Sequence, residues 1–243
     1  MKLAQLKNSI IVLLFLPLLA LAAVPVDNFD SYATGNLDGL NGGTSWSEAW
    51  GDTTGICSTW YDVVSTPVQG GTRAAHTATS GGECGRGFTA DSTENQAYGL
   101  YLRAASTASG LVSVWQTGAT GIARIVLTTG GQIAVINNLT ADNLQAYSAD
   151  TWYQVDIQIT SFTGKTFQAR VGGGSWTADK TFYNNNAATS LSLFWSSGQS
   201  TVDSYFDTIG PPAAAAADDI QYESGSFFQL LWNFLFNNVY AHE

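Results

Sequence analysis

The amino-acid sequence predicts an all-β protein made of two packed antiparallel sheets, and three observations point there. From Trp60 to Ile209 short runs alternate apolar and polar residues with period two, the spacing that turns one strand face to a core and the other to water. Clusters of Gly, Asn, Asp and Ser separate these runs. Between Ala23 and Gly210 no stretch keeps a helical period, and about a dozen strands over roughly 190 residues suit a single two-sheet sandwich.

The chain opens on Lys2 and Lys7, an apolar run from Ile10 to Leu21 broken only by Pro17, and Ala20-Leu21-Ala22 before Ala23. A short cationic stretch, a short apolar stretch and a small-residue cleavage site read as a signal peptide over residues 1–22, so the mature chain is expected to be secreted or held at the cell surface. The run falls short of the roughly 20 residues a membrane span needs. The clearest strand is Trp152 to Ile159, where Tyr153, Val155, Ile157 and Ile159 face one way and Gln154, Asp156 and Gln158 the other. Tyr98–Leu102, Leu111–Trp115, Ile122–Leu127, Ile133–Ile136, Phe167–Val171 and Leu191–Trp195 behave alike. Thr129-Gly130-Gly131, Thr163-Gly164 and Gly172-Gly173-Gly174 supply turns between them.

Pro211 and Pro212 end the last strand, because proline donates no ladder hydrogen bond, and residues 211–219 read as a Pro/Ala linker. The sandwich is therefore assigned to residues 23–210. In the apolar segment 220–243, Gln229, Asn233 and Asn237 fall four apart, so residues 226–240 form a short helix greasy over most of its circumference. Fifteen helical residues reach only about 22 Å, too short for a bilayer core of about 30 Å. The segment either docks on the sandwich or a partner, lies shallowly on a membrane surface, or stays a disordered tail.

Composition narrows the partners. Loss of Lys2 and Lys7 with the signal peptide leaves seven basic residues against nineteen acidic ones, a surface unsuited to nucleic acid. The two cysteines, Cys57 and Cys84, both lie in the exported part, where an oxidising environment lets them pair as a disulfide; the alternative is two buried thiols. With His76 and His242 the only histidines, two cysteines cannot complete a zinc shell.

The opening Val26-Asp27-Asn28-Phe29-Asp30-Ser31-Tyr32, with Gly35, Leu37 and Gly39 behind it, resembles the first strand of concanavalin A-like, laminin G-like jelly rolls. Val68-Gln69-Gly70-Gly71-Thr72-Arg73-Ala74-Ala75 is similar to that superfamily's Gly-Gly-x-x-Ala strand, Trp152-Tyr153 to its Trp-Tyr strand and Ser204-Tyr205-Phe206-Asp207-Thr208-Ile209 to its closing strand. The resemblance covers residues 26 to 210 and implies a jelly-roll sandwich whose first and last strands lie side by side. That would bring Asp30 close to Asp207 and suggests a structural calcium held by these carboxylates, with Asp27 and Asp203 as further ligands; the alternative is two aspartates making ordinary backbone hydrogen bonds.

Glycan-cleaving enzymes also use this fold, so the residues must decide. Glycoside hydrolysis needs two carboxylates projecting into one groove. Of the five glutamates none shares a strand with another carboxylate at spacing two or four, and Glu48 with Asp52 is the nearest thing to a pair. His76 and Arg73 sit at odd spacing on one strand, facing opposite sides, which weakens a lyase constellation. Binding fits better: Trp46, Trp50, Trp60, Tyr61, Trp115 and Trp195 are candidate platforms for stacking a sugar, unless they serve the core as large aromatics do. The expected function is a non-catalytic binding module for glycans or an extracellular protein. A structural envelope or appendage component assembled through the C-terminal segment, or a glycan-cleaving enzyme, are the alternatives.

Overall fold

The computed structural model describes residues 24–51, 57 and 60–212. The expected signal peptide, most of the Pro/Ala linker, the apolar helix over 226–240 and Asp52 lie outside the described residues. Fourteen strands are described: β1 (Gly35–Asn36), β2 (Asp62–Val64), β3 (Ala74–Thr77), β4 (Glu83–Asp91), β5 (Ala97–Ala104), β6 (Val112–Thr117), β7 (Thr120–Leu127), β8 (Gln132–Asn137), β9 (Thr140–Ala146), β10 (Tyr153–Ser161), β11 (Thr166–Val171), β12 (Lys180–Thr181), β13 (Leu191–Ser197) and β14 (Ser204–Gly210). They form two sheets, one in the order β1-β2-β3-β14-β5-β10-β11-β12 and the other in the order β4-β13-β6-β7-β8-β9. Every pairing is antiparallel. The all-β sandwich read from the alternation is the fold.

The period-two pattern puts Val155, Ile157 and Ile159 of β10 in the core, with Val155 opposite Leu100 and Ile157 opposite Tyr98 of β5, while Gln154 and Gln158 face outward. Facing sheets pack roughly 10 Å apart, a gap that large side chains fill. Here the filling is aromatic. Phe206 of β14 meets Phe29, Trp50, Tyr61 and Phe194 with ring centroids 5.5 to 5.9 Å away, and Trp115 meets Phe194 at 5.0 Å and Tyr98 at 4.9 Å.

The opening segment closes onto the end of the sandwich. Asp27 pairs with Ile209 in antiparallel fashion, the two backbones exchanging hydrogen bonds of 2.8 and 2.9 Å. Its side chain is buried and collects donors. Oδ2 accepts from Tyr32 Oη at 2.6 Å, Trp50 Nε1 at 3.0 Å and Arg86 Nη1 at 2.8 Å, and Oδ1 accepts from the Phe29 amide at 2.9 Å. Arg86, on β4 and equally buried, also donates from Nε to the Glu48 carbonyl at 2.7 Å and from Nη2 to Asn41, and its guanidinium lies 4.9 Å from the Trp46 ring centroid. Burial and the Asp27 carboxylate push the Tyr32 phenol up to about 12, so it remains a neutral donor.

Cys57 and Cys84 are joined as a disulfide, both fully buried. The Cys57 carbonyl accepts from the amides of Trp60 at 3.2 Å and Tyr61 at 3.3 Å. Trp60 packs against Gly82, where an added Cβ would come within 2.6 Å of its own Cβ.

Candidate functional site

Register across the eight-stranded sheet assembles one row of polar and aromatic side chains. Asn36 pairs with Asp62, Asp62 with His76, His76 with Tyr205, and Tyr205 with Arg103, each on a different strand from β1 through β2, β3 and β14 to β5. The neighbours of these residues along the strands, Val63, Ala75, Phe206 and Leu102, are buried in the core, so the row stands on the outer face.

His76 is its centre. Nδ1 lies 2.7 Å from Asp62 Oδ1 and Nε2 lies 3.1 Å from Asp203 Oδ1. The imidazole is 19% exposed, whereas the two aspartates are 50% and 52% exposed and keep oxygen surface for another partner. The Tyr205 ring lies 4.8 Å from the imidazole, and Trp152 meets Tyr205 at 6.3 Å. The Arg103 guanidinium sits 5.0 Å from the Tyr205 centroid and is neutralised by Asp150. Burial, with Asp203 nearby, raises the Tyr205 phenol above its ordinary value. Beside His76 opens a cavity of about 390 Å³ whose lining includes Asn36, Trp60, Tyr61, Asp62 and Thr79. Farther along the same face Tyr101, Gln154, Asp156 and Arg170 form a hydrogen-bonded chain, with Arg170 over the Trp176 ring at 4.3 Å.

The aromatic residues singled out in the sequence divide by this geometry. Trp50, Trp115 and Tyr61 are at most 2% exposed and are core filling, which corrects the expectation that they floor a ligand site. Tyr61, though almost wholly buried, also lines the cavity beside His76. Trp46 is turned inward, its Nε1 donating to the Val26 carbonyl at 3.0 Å while its ring packs on Trp50 and Arg86. Trp60 lines the cavity, and Trp195 stands partly exposed on the outer face of the six-stranded sheet. Asp62, Tyr205, Arg103 and Trp152 were not recognised as a site in the sequence. They lie as much as 143 positions apart; strand register joins Asp62, Tyr205 and Arg103, and a ring contact joins Trp152 to Tyr205.

Asp30 and Asp207 both hold the loop that precedes β3. Asp30 Oδ1 accepts from the Thr72 amide at 2.5 Å, Thr72 Oγ1 at 3.2 Å and the Arg73 amide at 3.0 Å. Asp207 Oδ2 accepts from the Gln69 amide at 3.0 Å, and Oδ1 from the Thr208 amide at 2.7 Å and hydroxyl at 3.3 Å. These are the ordinary backbone and hydroxyl hydrogen bonds that stood as the alternative to a calcium site. The aspartates act as loop staples, and Asp207 also fixes Thr208 at φ 46°, a left-handed conformation costly for a β-branched residue.

Burial pushes Asp207 up to about 6 from its ordinary value, so the folded state holds its proton more tightly than the unfolded chain does. Its stability contribution is present below about pH 4 and lost as pH rises through about 6, on the order of 2–3 kcal/mol. The difference in melting temperature between the wild type and Asp207→Asn will shift by several degrees against the wild type across that window, and EDTA or added calcium will leave the wild-type melt unchanged. A flat difference, or a chelator-sensitive melt, would refute this account.

No protein family model matches the chain, and no curated protein does. Among solved structures the chain is similar to a sialidase, with TM-score 0.56 and 14% identity over 78% of this chain and 18% of the sialidase. It is also similar to an endo-β-1,4-glucuronan lyase from Trichoderma reesei, with TM-score 0.42 and 17% identity over 61% of this chain and 84% of the lyase. A protein of unknown function from Shewanella oneidensis gives 0.45 and 13% over 83% and 92%. The chain spans less than a fifth of the sialidase's length, and the likeness shows the β-sandwich fold alone.

Proposed function

We propose that this chain is an exported, non-catalytic glycan-binding module on a concanavalin A-like jelly roll, taking uncharged sugars at the His76 cavity. The observation that carries the reading is the His76 imidazole set between two half-exposed carboxylates, with Trp60 at the cavity wall and Tyr205 and Trp152 alongside. Sugar hydroxyls donate well to carboxylates, and the C–H faces of a pyranose pack on aromatic rings. The fixed negative charge of Asp62 and Asp203, in a chain of net charge −10, favours neutral over acidic sugars here.

The same geometry disfavours cleavage at this site. A lyase needs a free imidazole or an ionised phenol, but both nitrogens of His76 face carboxylates and the Tyr205 phenol is raised. Asp62 and Asp203 are both turned to His76 rather than to opposite sides of a scissile bond. The disulfide suits an oxidising compartment, in keeping with export.

Titrating the protein with a panel of neutral oligosaccharides will find at least one that binds, and Asp62→Asn, His76→Ala and Trp60→Ala will each weaken it by roughly tenfold or more, the loss of one well-made contact. The panel will show no new reducing ends or unsaturated products. Wild-type affinity in all three variants would move the site elsewhere, and turnover would make the protein an enzyme.

A further inference from the structure

The outer face of the six-stranded sheet carries a cation without a partner. Seven basic residues are described, and six of them donate to an oxygen: Arg73 to the Thr72 carbonyl, Arg86 to Asp27, Arg103 to Asp150, Arg170 to Asp156, Lys165 to the Asn185 carbonyl and Lys180 to Asp142. Arg124 of β7 is the exception among the described residues. Its Nε is buried with no hydrogen-bond partner, and it makes none of the ion pairs, in a chain where acidic residues outnumber basic ones by nineteen to nine. The buried Nε is closed to a ligand, but the two terminal nitrogens have no hydrogen-bond partner and are not among the buried unpartnered atoms, so they face outward, open to an acceptor from outside.

Its surroundings are built to hold the guanidinium still. The guanidinium carbon lies 3.5 Å from the Tyr183 ring centroid, in stacking contact, and 6.0 Å from that of Trp195. Gly121 leaves room for it, since a Cβ there would come within 3.2 Å of Nε and 3.3 Å of Nη2. Tyr183 opens a short 3-10 turn, Tyr183–Asn185, which Asn186 ties to β7 by donating to the Gly121 carbonyl at 3.0 Å. Trp195 pairs with Val114, which pairs in turn with Arg124, and its indole N–H is fixed by Gln116 Oε1.

We infer that Arg124 is a carboxylate-binding site on the sheet face opposite the His76 cavity, taking the carboxylate of an acidic sugar. A guanidinium stacked on an aromatic ring keeps its in-plane N–H fork for a planar two-oxygen acceptor, and the Trp195 ring beside it offers an apolar face to the sugar attached to that carboxylate. The two faces then select by charge, uncharged sugar at His76 and anionic hexuronate at Arg124. The arrangement stands without the His76 site, because the two share no residue.

The test is calorimetric titration of the full chain at low ionic strength with sodium D-glucuronate, D-glucose and sodium sulfate. Glucuronate will bind saturably and more tightly than sulfate, which is tetrahedral, and glucose bound at the His76 cavity will be held equally well by the wild type and by Arg124→Gln. Arg124→Gln and Arg124→Lys will each weaken glucuronate by roughly tenfold or more, the lysine variant keeping the charge but losing the fork. No saturable binding of glucuronate, binding of sulfate as tight as that of glucuronate, or wild-type glucuronate affinity in a folded Arg124→Gln protein would each overturn the assignment. The ligand comparison on the wild type decides the matter even if a variant does not fold.

Discussion

Replacing Arg86 with methionine will lower the midpoint of thermal unfolding by on the order of 10 °C, the largest loss expected of any single change outside the aromatic core. Breaking a buried ion pair by removing one partner costs about 3–5 kcal/mol, and each kcal/mol is worth roughly 2–4 °C in a domain of this size. Both partners are 1% exposed, so the Asp27 carboxylate left behind cannot reach water. It keeps its bonds from Tyr32, Trp50 and the Phe29 amide, which hold it in place but carry no positive charge. Arg86 also satisfies Asn41 and the Glu48 carbonyl, so its loss frees the segment from Asn41 to Trp50 as well as the carboxylate. The double variant Asp27→Asn/Arg86→Met will lose less than the sum of the two single changes, because the second substitution removes the stranded charge. Additive losses, or an Arg86→Met melt within a degree or two of the wild type, would show that the pair does not hold the opening segment.

That network explains what could and could not be seen in the sequence. The alternation in Trp152 to Ile159 was legible because one face of β10 is core and the other is outside, and a two-residue period survives in the letters. The exposed edge strand β9, Thr140–Ala146, left no such signal, since an edge with both faces near water places no demand on its side chains. The pairing of opening and closing strands was legible through local motifs, and Asp27 does lie beside Ile209. The role of Asp30 and Asp207 was not, because a sequence does not say whether a carboxylate meets a cation or a row of backbone amides. For the tryptophans, residue type alone gave no way to separate Trp50 and Trp115, which fill the space between the sheets, from Trp60 and Trp195, which reach the surface. The His76 row depended on register between β2, β3, β14 and β5, a long-range property that no local spacing encodes.

Reducing the disulfide, or changing Cys57 and Cys84 to serine, will cost about 3–4 kcal/mol of stability by the loop-closure entropy of the 27-residue separation, and will also weaken sugar binding at the His76 cavity. The second effect follows from position. The Cys57 carbonyl anchors the amides of Trp60 and Tyr61, and Asp62 follows immediately in β2. One wall of the cavity and one of the carboxylates on His76 therefore depend on a segment that the disulfide ties to β4. A purely thermodynamic staple would lower the melting temperature and leave affinity at room temperature untouched, since the folded population would bind as before. A positioning staple lowers both, and the affinity loss will be found for ligands of the His76 cavity and not for glucuronate at Arg124, whose supporting residues lie on β6, β7, β13 and the Tyr183 turn. Equal loss at both faces would instead mean global loosening of the sandwich, and unchanged affinity at both would reduce the disulfide to stability alone.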